Sequence, residues 1–473
     1  MAFDKFPRPS NDSGYGFHLG TGEPDYSPAS RDFWLAELGA LGASWLVVSG
    51  TPDRPVPVEF ARALVEHDIE PIVRLDVWPI LPVEQPTLAA LCRSYADAGV
   101  HYLHLFREPN LATQWTIADW IAPGLVDRFG QILLPSLETI RGNGLVPLLS
   151  PLAPGGHYWD LTFLDQLLLV LLRDASSSLL DDLGVCIHHY PTNRPLAWGA
   201  GGAARWPLAR PYAPAEAGDD HRGFRLFEWY DEVIRGHLGR SLPLFSGETG
   251  PVLGTRDHLL FPRIDEEAHQ ARAQEIAALA GDKALPPYLF NVAFWTLTAS
   301  PADPIDTHAW YRRDGTRIPA VDALKAWVAA RATSAALAPP TLREPSRIEF
   351  SPREPAVAPA TSDLDVELPT PEPPARSAAE RPIRRYILFE LTNLEPRELA
   401  AYLGALLPFA ARSQATLGFR REEARLAERV TVVGADAVLL IRAQRELQLQ
   451  GCQVDLLHAS TPDDLRQALV AVA

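Results

Sequence analysis

From residue 15 to residue 330 the chain alternates two kinds of hydrophobic pattern. Short, nearly unbroken apolar runs stop at Gly, Pro or a charged residue: YGFHLG, SWLVVSG, PIVRLDVW, YLHLFREPN, LVPLLSPLAP, GVCIHHYP, PLFSGETG and YLFNVAFWTL. Runs of this kind suit strands covered on both faces, as in a parallel sheet. Between them lie longer stretches with apolar residues at helical spacing, among them RDFWLAELGALG, VEFARALVEHD, TLAALCRSYADAG and VDRFGQILLPSLETIRGNG. DLTFLDQLLLVLLRDA, FRLFEWYDEVIRGHLG, DEEAHQARAQEIAALAG and IPAVDALKAWVAARA continue the series. Such a period lets a helix bury one face. Several of these stretches end on glycine, at Gly42, Gly99, Gly142 and Gly281, where a left-handed C-cap is expected.

Eight strands, each followed by a helix, predict an α/β fold: a closed (β/α)8 TIM barrel over residues 1–333. An open doubly wound sheet is the alternative, and it calls for a Gly-rich phosphate loop after an early strand. HLGTGEP lacks the third glycine and runs into Pro24, so the dinucleotide reading is weak.

The pattern breaks at residue 334. Residues 334–381 are rich in Pro, Ala and acidic residues without periodicity, and read as an extended linker. Strand-helix alternation returns over residues 382–473, in RRYILFEL, EPRELAAYLGALLPFA, ERVTVVG, ADAVLLIRAQRELQLQG, CQVDLLHA and DDLRQALVAV. This is a small α/β domain of the βαβαβα type. Its VTVVGADA junction carries one glycine, a feature common to α/β folds and a weak nucleotide signal.

Composition narrows the function. Of the 473 residues, 47% are hydrophobic, enough for a large core, while a formal charge of -16 disfavours nucleic acid. Cys92, Cys186 and Cys452 are scattered and form no CxxC pair, which points to core packing, not disulfides or zinc. No apolar run reaches the ~18–20 residues of a membrane helix. The first residues, MAFDKFPRPSNDSGYG, show no apolar signal region, so the cytoplasm is the default expectation.

Two carboxylates stand at strand ends with turn residues behind them: Glu108 in REPN, after the fourth strand, and Glu248 in SGETG, on the seventh. Strands three apart in an eight-stranded barrel lie nearly across the lumen, so these side chains can approach each other at the C-terminal rim. A pair of carboxylates ~5 Å apart suits a retaining glycosidase.

This arrangement resembles the retaining (β/α)8 glycoside hydrolases of the clan that includes cellulases, xylosidases and β-galactosidases. The resemblance spans residues 15–330 and rests on Glu in a Glu-Pro-Asn step after strand four and Glu ending strand seven. It implies Glu108 as general acid/base and Glu248 as nucleophile, with Asn110 beside the acid as a candidate sugar contact. IHHYP resembles the His-x-Tyr placed beside the nucleophile in such enzymes, which gives His188 and Tyr190 as substrate contacts. FWTL offers Trp295, similar to the tryptophan that floors the subsite of the cleaved sugar. His188 and His189 point to opposite faces of one strand and cannot share a metal; neither metal nor cofactor is expected.

The chain departs from that family in two places. Asn usually precedes the acid/base, and here the position is Arg107, whose cation favours an ionised Glu108. The arginine expected near strand two is missing from SWLVVSG, and Arg74 on strand three is the candidate substitute. A carboxylate-bearing substrate could engage Arg107; Asp76 on the neighbouring strand could instead satisfy it.

Rim loops carry many aromatics, of which Trp78 and Trp115, each just past a strand end, are the candidates for stacking on a sugar ring. The insert from Thr192 to His221 reads as a mobile flap. The expected function is hydrolysis of a β-linked oligo- or polysaccharide. Two alternatives remain: a catalytically weakened carbohydrate-binding barrel, and a scaffold whose C-terminal domain binds a protein partner.

Overall fold

The computed structural model describes residues 3–20, 24–207, 209, 218–299, 304–337, 383–389, 396–413, 415–418, 421–434, 440, 443–444, 447–448, 451–459 and 461–472. Eight parallel strands close into a barrel in chain order: β1 (Tyr15–His18), β2 (Trp45–Gly50), β3 (Glu70–Leu75), β4 (Tyr102–Leu105), β5 (Val146–Leu149), β6 (Gly184–His189), β7 (Leu244–Thr249) and β8 (Leu289–Phe294). The circle closes where β1 pairs with β8, Gly16 opposite Ala293. Each apolar run of the sequence therefore became one strand.

Helices Pro28–Ala40, Val58–Glu66, Gln85–Asp97, Leu125–Gly142, Asp160–Asp174, Leu226–Leu238, Glu266–Gly281 and Pro319–Leu337 follow the eight strands in turn. Gly42 and Gly99 take the left-handed conformation at helix ends, as expected, with φ of 66° and 83°. Gly142 and Gly281 do not: both are still helical, and the left-handed residues are Gly144 and Lys283. The last helix runs to Leu337, past the point where the linker was expected to begin. The rest of that Pro-rich stretch lies outside the described residues.

Strand alternation sorts side chains into two cores. Outward residues such as Phe17, Leu46, Val73 and Leu103 pack against the helices. Inward residues fill the barrel: Trp45, Tyr102, Phe245 and Phe290, capped by Phe6, with Val47, Ile72, Leu148, Cys186 and Ala293. Continuing each inward series toward the C-terminal end changes the chemistry. On β2, Trp45 and Val47 give way to Ser49; on β3, Ile72 to Arg74; on β4, Tyr102 to His104; and on β6, Cys186 to His188.

The chain divides into two compact units, Met1–Arg343 and Glu344–Ala473. The second unit is a separate four-stranded parallel sheet in the order β10-β9-β11-β12, with β9 (Ile383–Phe389), β10 (Thr416–Gly418), β11 (Ala427–Gly434) and β12 (Gln453–His458). Ile387 and Phe389 face helices Pro396–Ser413 and Pro462–Val472 through Leu406, Leu465 and Leu469, while Tyr386 and Leu388 turn to a second cluster with Leu440, Leu447 and Cys452. Both faces are thus covered. The three-residue β10 is too short to stand out in the sequence.

Candidate active site

β4 ends at Leu105, three residues before Glu108. Phe106 and Glu108 both adopt positive φ, 63° and 45°, so the chain turns sharply at the end of the strand. Each such non-glycine residue costs of order 1–3 kcal/mol, which surrounding structure must offset. The Glu108 amide donates to the Pro151 carbonyl at 3.1 Å and fixes the turn to the loop after β5. On β7 a register shift relative to β6 pairs Ile187 with Ser246 but His188 with Glu248, leaving Gly247 as the extra residue of a bulge. A Cβ at Gly247 would lie 2.9 Å from Cys186 Sγ and 3.2 Å from the His188 ring, so only glycine fits there. The bulge directs Glu248 inward.

The two glutamates meet through His188. Its Nδ1 donates to Glu108 Oε1 at 3.0 Å and stands 3.6 Å from Glu248 Oε2. Carboxylate oxygens sharing one nitrogen in this way lie within roughly 7 Å of each other, short of most of the ~6.5–9.5 Å range of inverting pairs. Glu248, 2% exposed, accepts from Tyr190 Oη at 2.5 Å and from Arg74 Nη1, reaching across the barrel from β3, at 3.3 Å. Arg107 Nε is 3.6 Å from Glu108 Oε2, and its Nη2 is 4.0 Å from Glu248 Oε1. The guanidinium carbon lies 5.9 Å from the ring centre of Trp295, which packs on His18.

Burial of both carboxylates works against their charge. For Glu108, the hydrogen bond and charge of His188, with Arg107 and Arg74, outweigh that penalty and hold it below the usual carboxylate range. Burial at Glu248 is likewise outweighed by His188 and Arg107. Tyr190 is pushed well above its ordinary value, first by burial and then by Glu248, so it remains a donor. Burial, helped by Arg74, keeps His18 neutral; the same causes bring His104 down to about 3.

Of the residues singled out in the sequence, Glu108, Glu248, Arg107, Arg74, His188, Tyr190 and Trp295 come together here. Trp78 is 73% exposed on the loop after β3, its indole N–H donating to the Thr113 carbonyl. Asn110 and Trp115 do not join the site. Asn110 is buried and fully engaged, donating to the Ala153 and Tyr158 carbonyls and accepting from the Ala153 amide. Trp115 is buried against Phe129 and donates to the Pro109 carbonyl, so no ring face is offered to a sugar. Both brace the turn that carries Glu108. His189 points away, bonded to the Phe224 carbonyl and Ser246 Oγ.

The insert expected to be a flap is pinned where it is described. Asn193 donates to the carbonyls of His258, Phe261 and Pro262, and Arg272 holds those of Thr192, Asn193 and Arg194. Residues 208 and 210–217 lie outside the described residues.

His18, His104 and Ser49 were missed by sequence reading. All three are buried, and neither ring nitrogen of either histidine, nor Ser49 Oγ, has a hydrogen-bond partner among the described residues. The signal available was parity, since each continues the inward series of its strand. Among the described residues no group of three or more His, Cys, Asp or Glu is arranged to hold a metal ion, and no helix is long and apolar enough to cross a membrane.

No family model and no curated protein matches the chain. Solved structures similar to it include a family 39 glycoside hydrolase from Bacteroides cellulosilyticus WH2, at 12% identity and a TM-score of 0.44, covering 67% of this chain and 64% of that one. A β-glucuronidase of Bacteroides uniformis matches at 12% identity and TM-score 0.42, over 66% of this chain and 34% of its own. A D-allulose 3-epimerase from Methylomonas sp. matches at 12% identity and TM-score 0.36, over 69% and 98%. The chain thus spans less than two thirds of the first two. A likeness of fold leaves the reaction to be argued from the site itself.

Proposed function

We propose that the barrel is a retaining glycoside hydrolase acting on a β-linked oligo- or polysaccharide. The observation that supports it best is the convergence of Glu108 and Glu248 on one nitrogen of His188 at the C-terminal mouth. Glu248 is the nucleophile: it is buried, ionised, and oriented by Tyr190 and Arg74. Its carboxylate attacks the anomeric carbon as Glu108 protonates the departing oxygen, and Glu108 then deprotonates the water that releases the sugar. Trp295 forms the apolar floor on which the ring rests. His18, His104 and Ser49 offer donors and acceptors for its hydroxyls.

A second reading, a carbohydrate-binding barrel of weakened chemistry, is favoured by one observation: Glu108 is held ionised, which opposes its use as an acid. A panel of aryl β-glycosides separates the readings. Hydrolysis by the wild type, lost in Glu248→Ala and restored by azide as an external nucleophile, supports the enzyme. Absence of hydrolysis across the panel, with sugar binding retained, supports the binding barrel.

A further inference from the structure

Two arginines enter the mouth, and they are bonded differently. Arg74 donates through Nη1 to Glu248 at 3.3 Å, and its Nε forms an ion pair with Asp76 Oδ1 at 3.1 Å without hydrogen-bond geometry. Asp76 is ion-paired with Arg74 and reaches Arg107 only through its field. Arg107, its side chain 37% exposed, makes no hydrogen bond among the described residues; its nearest carboxylate oxygens, at 3.6 and 4.0 Å, lie beyond hydrogen-bond range. A planar fork of donors thus stands over Trp295 and between the two glutamates, without a bonded acceptor. Guanidinium forks match carboxylates in two parallel hydrogen bonds, which a neutral hydroxyl cannot reproduce.

A neutral sugar leaves Arg107 as counterion to Glu108, and the acid stays ionised. The groups facing Glu108 are His188 of β6, Arg74 of β3 and Glu248 of β7, with Arg107 on its own turn. Farther out, Tyr190 and Tyr230 share its field. His188 is hydrogen-bonded to Glu108 and Arg74 to Glu248. Arg107 alone can be drawn off without breaking a hydrogen bond.

Given Glu108 as the proton donor of the hydrolytic reading, on which this rests, we propose that Arg107 is the receptor for a carboxylate carried by the substrate, which makes the substrate a uronic acid. Seating that carboxylate transfers the guanidinium from Glu108 to the substrate. One negative charge enters the mouth, and one proton from solvent binds Glu108 to compensate. Glu108 then gives this proton to the glycosidic oxygen as the bond to the anomeric carbon breaks and Glu248 forms its own. The acid is armed by the substrate that needs it.

The test uses matched aryl 1-thio-β-D-glycosides, which resist hydrolysis: glucuronide against glucoside, and galacturonide against galactoside. Titration calorimetry of the full chain at pH 6 in two buffers of different ionisation enthalpy reads affinity and proton uptake together. In at least one pair the uronide binds about tenfold or more tightly than its neutral partner, a charge-assisted pair's worth, with net proton uptake. Arg107→Asn abolishes both the preference and the uptake, while Arg107→Lys, which keeps the charge but not the fork, keeps the uptake and loses part of the preference. Equal or better binding of the neutral sugars overturns the proposal, as does a preference that survives Arg107→Asn or failure of every uronide to bind.

Turnover of the O-linked pairs is scored separately. Hydrolysis of neutral glycosides alone, unchanged in Arg107→Asn, keeps the hydrolase and sinks the carboxylate receptor. Uronide binding with proton uptake but no turnover keeps the receptor and sinks the hydrolase.

Discussion

The floor and the mouth of the barrel are built on the same strands, one or two inward positions apart, and they obey opposite rules. On the floor, Phe245 packs on Tyr102 at 4.5 Å and on Phe290 at 4.9 Å between ring centres, with Trp45 beyond at 6.1 Å. These groups are satisfied by one another. In the mouth, His18, His104 and Ser49 are as deeply buried yet lack hydrogen-bond partners among the described residues, and Arg107 stands between two carboxylates without bonding to either. Burying polar groups this way costs free energy that the aromatic floor helps to offset. The difference shows where the fold serves its own stability and where it serves a ligand.

Substitutions at the two ends should separate stability from activity. Glu248→Ala should lower turnover of aryl glycosides by a factor of about 10^4 or more, while the protein unfolds near the wild-type urea midpoint. Phe245→Ala should cost about 3–5 kcal/mol of stability, because no neighbour in the ring-packed floor can collapse into the space. The fraction of that variant still folded should keep nearly wild-type turnover. An inactive but stable Phe245→Ala, or an unfolded Glu248→Ala, would break the division.

Much of this was legible in the sequence, for identifiable reasons. The strands were readable because a two-sided parallel barrel demands nearly unbroken apolar runs, and GVCIHHYP or PLFSGETG has few other uses. Glu108 and Glu248 stood out because a carboxylate closing such a run has no packing role. His18 and His104 did not, since a histidine inside YGFHLG or YLHLF reads equally as core or site until the inward parity is known. Asn110 and Trp115 misled for the opposite reason. They are neighbours of Glu108 in sequence, but the positive-φ turn at Phe106 and Glu108 sends Asn110 under the loop after β5 and Trp115 against Phe129. The bulge at Gly247 was invisible because its cause, the closeness of Cys186 and His188, is tertiary.

A pH dependence of stability is also expected, to which the mouth contributes. An unfolded histidine binds a proton below about pH 6.5, whereas folded His104 does so only at about 3 and His18 lower than normal. Between those values the unfolded state holds more protons, so stability falls as pH falls, by up to about 1.4 kcal/mol per unit for each histidine. His189 and His269, both brought by burial to about 4, add to the same fall, while His101, raised by its hydrogen bond to Glu70, opposes it, so the contribution of the mouth is read by substitution. Urea midpoints at pH 7 and pH 5 should differ accordingly, and His104→Leu should flatten the slope. An unchanged slope in that variant would place the dependence elsewhere.

The central claim is that Glu248 forms a covalent bond to the sugar while Glu108 serves as its acid. Incubation with 2-deoxy-2-fluoro glycosyl fluorides, neutral and uronic, followed by mass spectrometry of the intact chain and its peptides, tests it most directly. The account predicts a single added glycosyl mass, mapped to Glu248 and absent from Glu248→Ala. A label on any other residue, or no label from any member of a set whose ordinary glycosides are hydrolysed, would contradict it.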